Sequence, residues 1–222
     1  MIYFLLFASV AVGYAIALLL KTKEIAKMSI YLAFSGAFLL AVTIFELLPE
    51  VFTTDSKTTG VYIMAGILLQ ICLEFFSKGA EHGHVHIHAA EKSFPWLLFI
   101  SLSIHALLEG FPISEENNLI LGVIVHKIPI AIILSFFFIK ANYSRSTTLL
   151  FLFLFALMTP LGNFLSKNVD GFVRYSTEIT ALVIGIFLHV STTILFESSK
   201  DHKFNLAKLL TIIMAMVIAY FL

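Results

Sequence analysis

Apolar residues dominate this chain in runs long enough to cross a bilayer, divided by short polar connections. A helix needs roughly 20 apolar residues to span the hydrocarbon core. Eight such segments are predicted, at about 1–20, 28–52, 60–80, 94–113, 118–139, 146–166, 177–198 and 205–222. The connections are too short for a water-soluble domain, so residues 1–222 read as a single all-α transmembrane domain. Pro49, Pro112, Pro129 and Pro160 lie in or at the ends of these segments. Pro129 and Pro160 look internal, and only Pro129 adjoins ionisable residues; a helix break there would free carbonyls to line a cavity.

Composition agrees with this reading. Of the 222 residues, 59% are hydrophobic and 13% charged, with a mean hydropathy of +0.98. A soluble domain of this size could not cover so much apolar surface, so the expected surroundings are a lipid bilayer. No basic residue precedes the apolar core of the first segment, and Lys21, Lys23 and Lys27 follow it, which reads as a retained helix and not a secretory signal. Alternate connections divide the basic residues unevenly. Lys21, Lys23, Lys27, Lys78, Lys92, Lys140, Arg145, Lys200, Lys203 and Lys208 lie on one side, and Lys57, Lys167 and Arg174 on the other. Positive residues favour the cytoplasm, so both termini are expected outside. The formal net charge of zero gives no reason to expect a nucleic-acid partner. Cys72, the lone cysteine, can form no internal disulfide and reads as a small buried apolar residue.

Against this background a few polar residues stand out. His105 and Glu109 lie four apart and so share a face of the fourth segment. His126 and Lys127 follow in the fifth, which a short connection returns beside the fourth, at a depth level with His105 and Glu109. Ionisable groups at membrane depth are costly and face a cavity, a pathway or a partner. Two imidazoles and one carboxylate suit zinc, and also iron(II), manganese and cadmium. Three protein ligands leave a position for water, which suits a carrier that must release its ion. Lys127 lies too deep to snorkel easily, so its ammonium is expected to neutralise Glu109 or to replace a second cation. Gln70, Glu74, Ser77 and Glu81 recur at helical spacing in the third segment, and His189, Thr193 and Glu197 share a face of the seventh. Glu74 is a candidate pathway residue, whereas His189 reads as a packing histidine. Between the third and fourth segments His82, His84, His86 and His88 alternate in a cytoplasmic loop, about 81–93, fit for loose metal capture.

These strings resemble the ZIP (Zrt/Irt-like) family of divalent-metal transporters. The resemblance rests on His105-x-x-x-Glu109-Gly110 and His126-Lys127 above all. Ser35-Gly36-Ala37-Phe38-Leu39 with Glu46-Leu47-Leu48-Pro49-Glu50, Gln70 to Glu74 with the histidine loop, Thr159-Pro160-Leu161-Gly162, and Gly185-x-Phe187-Leu188 carry it over nearly the whole chain. It implies eight helices, with the first three and last three forming an inverted repeat around the fourth and fifth. It also implies that His105, Glu109 and His126 are primary metal ligands and that Glu46 stands at the pore entrance. Ala106, Ile130 and Thr159 occupy positions where many members have Asn, Glu and a carboxylate. With Lys127 in place of a further acid, one site is expected and not a two-metal centre.

The function expected is secondary transport or facilitated passage of divalent metal, zinc first, toward the cytoplasm, with no prosthetic group and no enzyme activity. An ATP-driven pump is rejected: there is no Gly-x-x-x-x-Gly-Lys-Ser/Thr loop and no soluble nucleotide domain. An intramembrane zinc hydrolase would place two histidines on one helix with the acid between them, and no such string occurs. A transport-dead metal sensor is the alternative, prompted by Ile130 and Thr159. Gly13 and Ala17, or Gly36 and Ala37, could support helix contacts in a homodimer. The lack of a large ectodomain points to a bacterial cytoplasmic membrane.

Overall fold

The computed structural model describes residues 1–20, 28–52, 56–77, 94–115, 117–197 and 206–222. The predicted loop histidines His82, His84, His86 and His88, with Glu81 and the lysines at 21, 23, 27, 78, 92, 200 and 203, lie outside these residues. The described part is all helical. In chain order the helices are α1 (Ile2–Leu19), α2 (Met28–Val42), α3 (Leu48–Val51), α4 (Ser56–Ser77), α5 (Trp96–Glu109), α6 (Leu119–Lys140), α7 (Arg145–Asn168), α8 (Asp170–Arg174), α9 (Ser176–Glu197) and α10 (Leu206–Tyr220). A π turn, Thr43–Leu47, joins α2 to α3, so that Met28–Val51 is one continuous span.

Among the described residues six segments are long and apolar enough to cross a membrane; the fourth and eighth predicted spans are the shorter apolar helices α5 and α10, of 14 and 15 residues. At a rise of 1.5 Å per residue α5 is only about 21 Å long. Its limits are local. Pro95 stands at its N-cap, and the chain turns at Gly110, whose N–H reaches back to the carbonyls of Leu107 and Leu108, just ahead of Pro112. Between α6 and α7 the reversal is equally compact. Tyr143 N–H donates to the Phe138 carbonyl and Asn142 N–H to that of Ile139, with Asn142 in the left-handed region at φ 55°, a Schellman ending that tolerates Asn. Ser144 then caps α7, its hydroxyl accepting from Thr147 N–H at 3.1 Å.

The sequence readings of proline and cysteine need correction. Neither Pro129 nor Pro160 breaks its helix: α6 and α7 run straight through them. Residues around Pro129 are almost all buried, from His126 and Lys127 to Phe136, and neighbouring helices hold the turn despite the missing N–H. The irregular turn falls instead at Thr43–Leu47, where Glu46 lies. Cys72 is exposed and not buried, because α4 turns Gln70, Leu73 and Ser77 inward and leaves Cys72, Phe75 and Phe76 on the outer, lipid-facing side.

α6 is the helix about which the rest assemble, flanked by α1 and α2, while α4 packs on α9, α2 on α10 and α5 on α7. In lipid, helices gain no hydrophobic drive from meeting each other, so close backbone approach decides which pairs form. Two crossings show this. A Cβ on Gly66 would collide with the Leu182 carbonyl, and one on Gly185 with that of Ile63. Similarly, a Cβ on Gly162 would strike the Leu107 carbonyl, and one on Gly110 that of Thr159. Along α4 and α9 the contacts advance together, from Ile63 and Gly66 with Leu182 and Gly185 to Glu74 with His189, so the two helices run parallel.

Gly66→Val is therefore expected to destabilise the fold by roughly 1–3 kcal/mol or more, as overpacking does. Gly60→Ala, at a position open on all sides, is expected to be neutral or mildly stabilising. Thermal unfolding of the detergent-solubilised protein measures both; equal melting temperatures for native and Gly66→Val chains would show that this crossing does not hold the helices.

Candidate metal site

Near the C-terminal end of α5, His105 and Glu109 point toward α6, which supplies His126 and Lys127. All four are buried, at 5%, 1%, 2% and 1% exposure. The imidazole rings of His105 and His126 face each other with centroids 6.4 Å apart, inclined at 67°. Each has a polar contact at Nδ1. That of His105 lies 3.0 Å from Gln70 Oε1 on α4, an acceptor, so the imidazole donates. That of His126 lies 3.4 Å from Ser35 Oγ on α2. Such contacts fix the ring orientation, the usual duty of groups behind a metal-binding histidine.

The carboxylate of Glu109 faces elsewhere. Lys127 Nζ donates to its Oε2 at 2.9 Å, both groups fully buried. The same ammonium lies 4.6 Å from the centre of the Phe155 ring on α7, over its electron-rich face. Thr159, also on α7 and buried, gives its hydroxyl to the Ala106 carbonyl at 2.8 Å and stands 3.4 Å from Glu109 Oε2. The second carboxylate oxygen, Oε1, is buried with no hydrogen-bond partner among the described residues. Asn163, one turn beyond Thr159, donates to the carbonyls of Gly110 and Ile113 and thereby pins the turn that ends α5. Among the described residues no three of His, Cys, Asp and Glu are gathered closely enough to form a ready metal cage. The two histidines are opposed, and the third predicted ligand is held aside by a cation of the protein's own.

The remaining predicted positions fall in two places. Glu46 accepts from the backbone N–H of Asn118 at 2.7 Å and from its side-chain Nδ2 at 3.0 Å. It thus sits on the N-terminus of α6, where the helix dipole favours a carboxylate. Glu74 meets His189 of α9 at 2.7 Å, both partly exposed. Sequence reasoning had marked Glu74, Gln70 and His189 separately. Their mutual contacts, and those of Ser35 and Thr159, depend on helix pairing that spacing along one helix does not reveal.

A sequence model of the family described as ZIP Zinc transporter matches residues 77–222. This chain belongs to that family. The matched stretch contains His105, Glu109, His126 and Lys127 and begins at the end of α4, so the first 76 residues, including Glu46 and Glu74, lie outside it. Curated relatives include Protein zntD of Dictyostelium discoideum, 27% identical over 150 residues, or 58% of this chain and 22% of that protein. Zinc transporter ZIP1 of Danio rerio is 31% identical over 138 residues, 56% of this chain and 44% of the relative. The chain thus spans less than half the length of either.

Because Glu109 and Lys127 neutralise each other away from water, removing one partner leaves an unpaired buried charge. Lys127→Met is expected to cost roughly 3–5 kcal/mol, and adding Glu109→Gln is expected to recover much of that loss. A double-mutant cycle on thermal or denaturant unfolding measures the coupling. Additive effects of the two substitutions would show that the pair does not hold in the membrane.

Proposed function

We propose that this ZIP family protein is a carrier of divalent metal, zinc before iron(II), manganese or cadmium, with His105, Glu109 and His126 as its single intramembrane site. The observation that carries this reading is the opposition of two buried, oriented imidazoles beside a buried carboxylate with one oxygen unsatisfied. Zinc bound tetrahedrally at about 2.0–2.1 Å from each ring nitrogen would set the centroids about 5 Å apart. Closing the present 6.4 Å thus takes a movement of about an ångström. Glu109 must also turn from Lys127 toward the ion. Lys127 is the charge partner that satisfies the carboxylate when no metal is bound, and its own charge disfavours a second metal beside the first.

An eight-span arrangement with an inverted repeat fits several of the most extensive helix contacts, although those of α2 on α6 and α4 on α5 have no equally extensive counterparts. Exchange α1 with α7, α2 with α9, α4 with α10, and α5 with α6. The contact of α4 on α9 then becomes that of α10 on α2, the contact of α1 on α6 becomes that of α7 on α5, and α1 on α7 maps onto itself; all five pairs are extensive. The single domain would rock its two halves about the site in α5 and α6, alternately opening it to each side. Glu46 would attract the ion at the outer mouth, Glu74 would lie on the way inward, and the basic loops favour the cytoplasm as destination. Charge in the connections also favours external termini.

The test is zinc flux into proteoliposomes for the native chain and for His105→Ala/Glu109→Ala. Native flux is expected to fall to background in the variant. Equal flux in both would place the pathway elsewhere, and absence of flux from the native chain with metal still bound would favour the sensor. Lys127→Met, if it can be reconstituted, is expected to lower KM for zinc, because no tethered cation then competes for Glu109.

A further inference from the structure

The seam between α4 and α9 carries a second imidazole–carboxylate pair, Glu74 and His189, 2.7 Å apart. It is separate from the four central residues, yet a line of side chains joins the two places. Gln70 contacts His105 at 3.0 Å, and Glu74 follows one turn later on the same face of α4, with Ser77 beyond. A group leaving His105 along α4 therefore meets Gln70 and then Glu74.

Two features separate this pair from an ordinary contact between helices. First, its geometry is set by rigid surroundings. Gly66 and Gly185 bring α4 and α9 into backbone contact, two turns before Glu74 and one turn before His189, so the two side chains are presented to each other by a fixed crossing. Second, they are not sealed in the protein interior as Glu109 is. Their side chains are 23% and 19% exposed, against 1% for Glu109. An ion held there would keep several waters and only two protein ligands, and would be bound more weakly than by three ligands in the sealed centre. Borderline cations such as zinc and cadmium accept one imidazole and one carboxylate with water completing the shell.

We infer that Glu74 and His189, outside the one-metal centre proposed above, form a separate low-affinity divalent-metal station on the release path that takes the ion leaving that centre. This rests on the carrier reading above. The ion would enter by parting the Glu74–His189 contact by a small side-chain rotation, with Gln70 passing it from His105. A station of this kind affects release more than capture.

Cadmium binding by the full-length chain, with His82, His84, His86 and His88 replaced by Ser, separates the possibilities. Two equivalents are expected in this background and one in His105→Ala/Glu109→Ala. The remaining equivalent is expected to vanish when Glu74→Gln is added. Gln keeps an acceptor for the imidazole but is a far poorer metal ligand, so a purely structural contact predicts no change in stoichiometry. In proteoliposomes Glu74→Gln alone is expected to lower maximal zinc flux about tenfold, with KM changed less than threefold. An unchanged cadmium count on adding Glu74→Gln would overturn the second site, whatever the flux. Flux that survives His105→Ala/Glu109→Ala would instead sink the central-site reading. His189→Phe serves as an independent variant and is expected to lose the same equivalent.

Discussion

An ammonium and a carboxylate buried side by side set the terms for the centre of this molecule. Lys127 and Glu109 lie 2.9 Å apart at 2% and 1% side-chain exposure. Neither charge could remain there alone, since an isolated ion in a medium of low dielectric carries a penalty of several kcal/mol even after relaxation. Their pairing links α5 and α6 through the long lysine side chain, although the two helices hardly touch along their backbones, contrary to the expectation that they pack side by side. Phe155 and Thr159 draw α7 to the same point, one by the face of its ring and the other by a hydroxyl. Gly110 and Gly162 remove the side chains that would hold α7 off α5. Charge neutralisation and close backbone packing thus enforce the same arrangement.

Helix positions follow a simple physical signal and were therefore legible. Runs of apolar residues cannot be left in water, and the described apolar helices overlap the predicted segments with ends displaced by up to a turn, while the short α8 (Asp170–Arg174) falls in a predicted connection. Polar residues inside those runs were legible as exceptions for the same reason. Partner choice was legible only in part. That Lys127 would neutralise Glu109 was one of two expectations and is what the structure shows; whether Glu74 faces His189 depends on which helices touch and at what register, and that is decided by Gly66 and Gly185 acting across the chain. Glu46 illustrates the limit. Read along the chain it is an acid near the end of a span; in space it caps α6 through Asn118, 72 positions away.

Local exceptions had their own causes. Pro129 removes one hydrogen bond, yet α6 is packed on so many sides that its neighbours hold the turn in shape. The π turn at Thr43–Leu47 has no strong sequence mark, because Thr43 accepts an ordinary role, donating its hydroxyl to the Leu39 carbonyl at 2.7 Å. Such a turn re-aims the residues after it, and here it presents Glu46 to the start of α6. Cys72 was misjudged because a small apolar residue is equally at home against protein or lipid, and only the partner face of α4 decides between them.

The proposed cycle gives Lys127 a consequence that a third carboxylate would not have. With the site empty, Glu109 and Lys127 sum to zero charge. A bound divalent ion raises that sum to two positive charges in surroundings that screen them poorly. Coulomb repulsion between two unit charges is about 4 kcal/mol at an effective dielectric of 20 and a separation of 4 Å, and about twice that between a divalent ion and a lysine. Part of the attraction between the ion and Glu109 is thus cancelled by the lysine that the ion displaces. Such a site gives up tight retention and gains easy release, because the departing ion is replaced at once by a cation already attached to the protein. For a structural metal this would be a defect; for a carrier it eases the escape of a multiply charged ion from a dry core.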